Sequence, residues 1–347
     1  MNQADASPDT PHVLPGDSPV AVIGLGTMGH GIAQAFAVGG YSVRAIDERP
    51  ETSATALDRI GSNLEQLADA GLLQSEQITE VLERITVCET LEATVDGALW
   101  VTEAAWENLE VKQQLFRKIE PLVDPQTILA SNSSSFPITR TAGDLEHPQR
   151  AIVTHWFNPP HVIPVVEVVG GERTSEATGV TALATLEAIG KTAIRIDKEL
   201  TGFLVNRVQV AMFREVFDLL DRGVATASEI DRAIRGSMGL RLAALGPLAI
   251  IDHAGWDISS ATYTNLVPDM RGDTEIPEGS RCNYHLNQTG ENTFLRTYDV
   301  TMHCHSHNQS LCSASAFNLL SALPHFMLFG VKASWLFLQP LLWSLPC

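Results

Sequence analysis

Short apolar runs alternate with amphipathic stretches over the first two hundred residues, and that alternation predicts the elements. Runs at about 20–23, 42–46, 85–87, 99–103, 127–131, 151–154, 165–169 and 192–196 read as strands, with helical spacing between many of them. Near-continuous Val, Ile and Leu marks strands buried on both faces of a sheet. From Thr52 to Arg84, Leu57, Ile60, Leu64, Leu67, Ile78 and Val81 recur at helical spacing. That stretch is too long for one crossover helix and predicts a helical hairpin projecting from the sheet, turning at Gly71. Strands stop near residue 200. A helix predicted from Gly202 to about Arg222 is apolar nearly all round, at Leu204, Val205, Val208, Met212, Val216, Leu219 and Leu220, as befits the centre of a second domain. Ser228 is placed to cap the next helix.

Candidate chemistry sits first in Val165-Val166-Glu167-Val168-Val169, where one carboxylate interrupts a buried β-branched strand. An ionised glutamate there is costly unless paired. His155 closes the preceding strand, and the prolines between them (Pro159, Pro160, Pro164) enforce a rigid turn that can bring the two strand ends together. Such a pair is either a general base awaiting a hydroxyl group or a core histidine in a structural ion pair.

A second pattern favours the catalytic reading. The strand 20–23 runs straight into Gly24-Leu25-Gly26-Thr27-Met28-Gly29 and then a helix, which is G-x-G-x-x-G in its required context. The glycines let backbone approach a pyrophosphate, and the helix N-terminus offers free N–H groups. The next strand ends in Asp47, at the distance expected for a carboxylate gripping the adenosine ribose. An acid there favours NAD over NADP, although Arg49 lies close by. The expected fold class is therefore α/β, a Rossmann-type dinucleotide-binding domain followed by a smaller all-α domain.

These blocks, with ENLEVK at 107–112, SNSSS at 131–135, HWFNPPHVIPVVEVV at 155–169, GFLVNR at 202–207 and DHAGWD at 252–257, resemble the L-3-hydroxyacyl-CoA dehydrogenase family, the 3-hydroxybutyryl-CoA type included. The resemblance runs from about Val20 to about Asp257. It implies that His155 takes the proton from a substrate 3-hydroxyl, that Glu167 orients it, and that Asn206 holds the substrate near the reacting carbon. Ser134 would touch both substrate and cofactor. Glu107, Lys112 and Asn158 would contact NAD, and the hairpin would help cover the CoA chain. Read as residues alone, Ser134 could be a turn residue, Asn206 a helix-start residue and Lys112 a solvated charge.

Composition changes the picture in two places. A formal charge of −18 argues against nucleic acid or an anionic membrane as partner. A CoA substrate would still need a local basic patch, whose place the sequence does not show. No apolar core segment marks a signal peptide in the first nineteen residues, so a cytoplasmic enzyme is expected. From Gly279 onward only two acidic residues occur in sixty-nine, while four of the five cysteines fall there. That break suggests a tail read out of frame. His303, Cys304, His305, His307 and Cys312 fit no standard zinc spacing, and Pro324, His325, Lys332 and Pro340 interrupt the apolar run 314–345, so neither metal nor membrane is expected.

The expected organisation is a disordered leader at 1–18, an NAD-binding domain at 19–199 with its hairpin at about 52–84, an incomplete all-α domain at 200–278 and the aberrant tail at 279–347. The family implies a homodimer, which such a tail puts in question. Three functions follow. The first is reversible NAD-dependent oxidation of (S)-3-hydroxyacyl-CoA in fatty acid β-oxidation or butanoate metabolism. The second is oxidation of a free hydroxy acid of gulonate or carnitine type. The third is an inactive NAD-binding structural protein, as in eye lenses.

Overall fold

The computed structural model describes residues 13–16, 18–270 and 272. Most of the leader, and the tail with its expected frame change and its cysteines and histidines, lie outside the described residues. Eight strands form one sheet: β1 (Val20–Ile23), β2 (Val43–Ile46), β3 (Ile85–Val87), β4 (Trp100–Glu103), β5 (Ile128–Ser131), β6 (Ala151–Trp156), β7 (Val165–Gly170) and β8 (Thr192–Ile196). Their order is 3-2-1-4-5-6-7-8. Every neighbouring pair is parallel except β6 and β7. The order reverses between β1 and β4, so a crevice opens outside their carboxyl ends, where ligands bind in such sheets.

The longer helices of this unit are α1 (Gly29–Val38), α2 (Ala56–Asp69), α3 (Gln77–Glu83), α4 (Leu109–Ile119) and α5 (Glu176–Ala188). The α2–α3 hairpin turns where expected: Gly71 has φ +71°, and its N–H and that of Leu72 donate to the carbonyls of Ala68 and Leu67. Pleating divides the strands between two cores. Trp100 faces one side with Ile32, Phe36 and Trp156, while its neighbour Val101 faces the other with Phe116, Ile119 and Leu129. Phe36 on α1 packs 5.6 Å from Trp100 and 6.0 Å from Trp156, ring centre to ring centre. This ties the glycine-loop helix to the strand that carries His155.

A second compact unit begins at Val205, with α6 (Val205–Asp221), α7 (Ala227–Ile234), α8 (Pro247–Ala254) and α9 (Trp256–Leu266). Three sequence expectations are corrected here. α6 starts at Val205 rather than Gly202, because Gly202 (φ +77°) and Phe203 (φ +47°) are left-handed and cannot enter a right-handed helix. Its side chains are not buried among the described residues, Val208 being 64% exposed, so it is not a core helix within them. The cap of α7 is Thr226, whose hydroxyl accepts from the Glu229 N–H, and Ser228 falls inside the first turn. Among the described residues no single helix is long and apolar enough to cross a membrane.

The aromatic cluster makes a stability prediction. Phe36→Ala should cost about 3–5 kcal/mol, read from the midpoint of urea unfolding at unchanged slope. A loss below about 1 kcal/mol would show that the cluster does not hold α1 to the sheet.

Candidate active site

β6 continues to Trp156, so His155 lies inside the strand rather than closing it, directly across from Glu167 in the antiparallel register. His155 Nδ1 is 2.7 Å from Glu167 Oε2, and the two residues are 3% and 0% exposed. The other carboxylate oxygen accepts the Leu204 N–H at 3.2 Å. A carboxylate on Nδ1 fixes the tautomer that carries its proton there, which presents the Nε2 lone pair to a substrate. The rings of Phe157 and Phe203 flank the imidazole at 4.7 and 5.6 Å.

The glycine loop follows β1. Gly24 has φ +96°, and a Cβ there would meet the Ala104 carbonyl oxygen at 2.5 Å. A Cβ on Gly29 would meet the Gly24 oxygen at 1.7 Å. Beside Gly26, by contrast, a Cβ would find only the Arg49 guanidinium, at 3.8 Å. That opening above the start of α1 is where pyrophosphate would lie, so the residues fit NAD. Leu25, Thr27 and Met28 complete the loop. Asp47, at the end of β2, accepts the Leu25 N–H at 2.8 Å and pairs with Arg49 Nε at 3.3 Å. The pairing answers the ambiguity over Arg49: its charge is turned toward Asp47.

A second buried carboxylate, not singled out in the sequence, organises the loop after β5. Glu103 ends β4, wholly buried, and accepts from Lys112 Nζ at 2.7 Å, the Ala105 N–H at 2.8 Å and Ser131 Oγ at 2.6 Å. The signal that exposed Glu167 was present here too, one acid in a short apolar strand. Lys112 is 1% exposed and also bridges to Glu107 at 3.1 Å, so it is no solvated charge. Glu107 Oε1 in turn accepts from Ser133 Oγ, Ser135 Oγ and the N–H groups of Ser134 and Ser135. Burial pushes the Glu107 carboxyl up, but the Lys112 charge and the serine hydrogen bonds outweigh it and leave it below its ordinary value. The structure therefore brings Glu107, Lys112 and Ser134 together. Asn158 is exposed beside a cis bond to Pro159, and Asn206 belongs to the second unit, on the first turn of α6.

The turn between β6 and β7 is held from below. Lys191 Nζ donates to the carbonyls of Pro160 at 2.6 Å and Ile163 at 3.1 Å, and burial lowers its pKa to about 8. His161 on the same turn is pushed down to about 4, first by burial and then by the neighbouring charges of His30 and Lys191. Among the described residues no three His, Cys, Asp or Glu side chains gather as metal ligands.

Models of the 3-hydroxyacyl-CoA dehydrogenase NAD-binding domain and C-terminal domain match residues 19–200 and 202–291. The chain belongs to the 3-hydroxyacyl-CoA dehydrogenase family. It is accordingly an NAD-dependent oxidoreductase, a Rossmann unit followed by a helical one. A 5-formyl-3-hydroxy-2-methylpyridine 4-carboxylate 5-dehydrogenase of Mesorhizobium japonicum is 36% identical over 262 residues, 74% of this chain and 82% of that protein. A probable 3-hydroxybutyryl-CoA dehydrogenase of Bacillus subtilis is 37% identical over 238 residues, 69% of this chain and 81% of that one. The solved structure of a 5-formyl-3-hydroxy-2-methylpyridine 4-carboxylic acid 5-dehydrogenase, an NAD+-dependent dismutase, superposes with a TM-score of 0.74 at 31% identity, covering 90% of this chain and 98% of that one.

Two outcomes are expected from this site. Asp47→Ser should lower the preference for NAD over NADP, as a ratio of kcat/KM, by roughly tenfold or more, because a repelling charge is lost. A parent enzyme that already prefers NADP would assign the choice to Arg49. The second concerns pH. Unfolded His161 binds a proton near 6.5 and the folded form resists it until about 4. The unfolded state thus binds more protons in that window, and stability present above 6.5 is lost as pH falls toward 4. His161→Gln should flatten this slope in urea midpoints measured at pH 7.5 and 5. Equal slopes in both proteins would refute it.

Proposed function

We propose that this chain oxidises the 3-hydroxyl of an (S)-3-hydroxyacyl-CoA to the 3-oxoacyl-CoA, reversibly, in cytoplasmic fatty acid or butanoate metabolism. The carrying observation is the buried His155–Glu167 pair, 2.7 Å apart across the only antiparallel step of the sheet among the described residues. His155 Nε2 takes the hydroxyl proton as the C–O bond becomes a carbonyl. NAD, when bound, accepts the hydride that leaves the same carbon. Glu167 stabilises the imidazolium so formed and keeps the ring in place. The Glu107 carboxylate fixes the backbone of Ser134 and Ser135 beside this chemistry. Asn206 contacts the substrate in this reading, and a homodimer is its oligomeric state.

A second reading, a free hydroxy acid as substrate, is favoured by the charge inventory. The α2–α3 hairpin carries Asp58, Glu65, Asp69, Glu76, Glu80 and Glu83 against Arg59 and Arg84. Both guanidiniums already have partners in the protein, Arg59 in the Leu25 and Thr52 carbonyls and Arg84 in the Ala37 carbonyl and the exposed Glu80. Such a surface repels the phosphates of CoA. The name of the Mesorhizobium relative also points to a carboxylate without CoA.

NADH absorbance with 3-hydroxybutyryl-CoA, then with free hydroxy acids, separates the two. Turnover with neither would leave an NAD-binding protein without the activity. His155→Gln should lower kcat by about two to four orders of magnitude with NAD affinity nearly unchanged. Equal activity in that variant sinks the mechanism. Glu167→Gln should lose less, and the double variant little more than His155→Gln alone, since the pair acts as a unit.

A further inference from the structure

Phe203 is the one non-glycine residue with positive φ among the described residues, at +47°, and it is 2% exposed. A bulky side chain in this conformation is strained and persists only where its surroundings over-determine it. Two contacts depend on the turn it makes. Its ring lies 5.6 Å from that of His155. The next amide, Leu204 N–H, donates to Glu167 Oε1 at 3.2 Å, on the oxygen that His155 does not use. An extended or right-handed Phe203 would redirect both the side chain and the following N–H. One residue later the Rossmann unit ends.

We infer that Phe203 and Leu204 are positioning residues of the base. The Phe203 ring shares with Phe157 the task of shielding the imidazole, the Leu204 amide steadies its carboxylate, and the left-handed backbone makes both contacts possible at once. The inference rests on His155 acting as the base. A plain core anchor accounts for less: burial of a phenyl ring does not require a strained backbone, nor an amide aimed at a catalytic carboxylate. It follows that the segment leaving the dinucleotide-binding unit controls how readily His155 accepts a proton.

Two variants test this in the full-length protein. Phe203→Asn removes the ring while tolerating the left-handed backbone, and Phe203→Leu keeps apolar bulk without the ring. In Phe203→Asn, kcat should fall by roughly ten- to a hundredfold with the NAD Kd within about twofold of the parent. The acidic limb of the kcat/KM profile should move to higher pH, because water reaching the imidazole favours its charged form. Phe203→Leu should move the limb the same way by less. NMR titration of the His155 ring without substrate should report the same displacement, so this arm stands even if no substrate is turned over or His155→Gln stays active. Should Phe203→Asn fail to fold, the leucine variant carries both measurements. Unmoved titrations, or NAD binding and turnover falling together at an unmoved limb, would make Phe203 a core anchor and overturn the inference.

Discussion

The site depends on one step of strand pairing. Where every other neighbour is parallel, β7 returns antiparallel to β6, so residues only twelve apart in sequence stand face to face. A parallel step needs a long crossover and could not pair them this way. Register then decides everything: a slip by one residue would set His155 against Val166 or Val168 and turn Glu167 to the other face. Glu167 forbids that slip, because in either shifted register its buried carboxylate would lose His155. Lys191 guards the same register from the turn, holding two of its carbonyls.

The same device recurs on β4. Glu103, like Glu167, is a wholly buried carboxylate on a strand of the sheet. Neither could stay ionised in a dry sheet unpaired. Each is satisfied by a cationic or protonatable side chain and a backbone amide, Glu103 by Lys112 and Ala105, Glu167 by His155 and Leu204. Breaking such a pair on one side costs about 3–5 kcal/mol, since the partner is left buried with an uncompensated charge. Through Lys112 and Glu107 the first pair shapes the serine loop; through His155 the second meets substrate in the proposed reaction. Two unrelated-looking acids thus tie stability and chemistry to one sheet.

How much of this could be read beforehand follows from what each feature depends on. The eight strands, the hairpin turn at Gly71 and the His155–Glu167 pair rest on local pattern: apolar runs, a glycine, one acid among valines. The length of β6 was underestimated because Trp156 and His155 look like the end of a run, whereas their pairing with Val166 and Glu167 extends it. The start of α6 could not be read, because Phe203 is left-handed through its tertiary setting and not by propensity. Thr226 and Ser228 are chemically interchangeable caps, and backbone geometry two residues apart chose between them. Lys112 offered no sign of burial, since its partners Glu103 and Glu107 come from a strand and a loop whose meeting is a property of the fold.

Chemistry and specificity are carried by different parts of this molecule. In the proposed reaction the dyad touches a carbinol and is indifferent to what lies beyond it, which would let relatives named for a pyridine carboxylate and for a CoA ester share this fold. Discrimination must come from charge placed away from His155. In the Rossmann unit many cations already answer to the protein itself: Arg49 to Asp47, Lys112 to Glu103, Arg150 to Glu120, Lys191 to backbone carbonyls and Arg195 to Glu176. A guanidinium so engaged gives up its partner to bind a phosphate, and the gain is then a difference between two pairings rather than a new one. The acidic hairpin adds repulsion that an uncharged acyl chain would not feel.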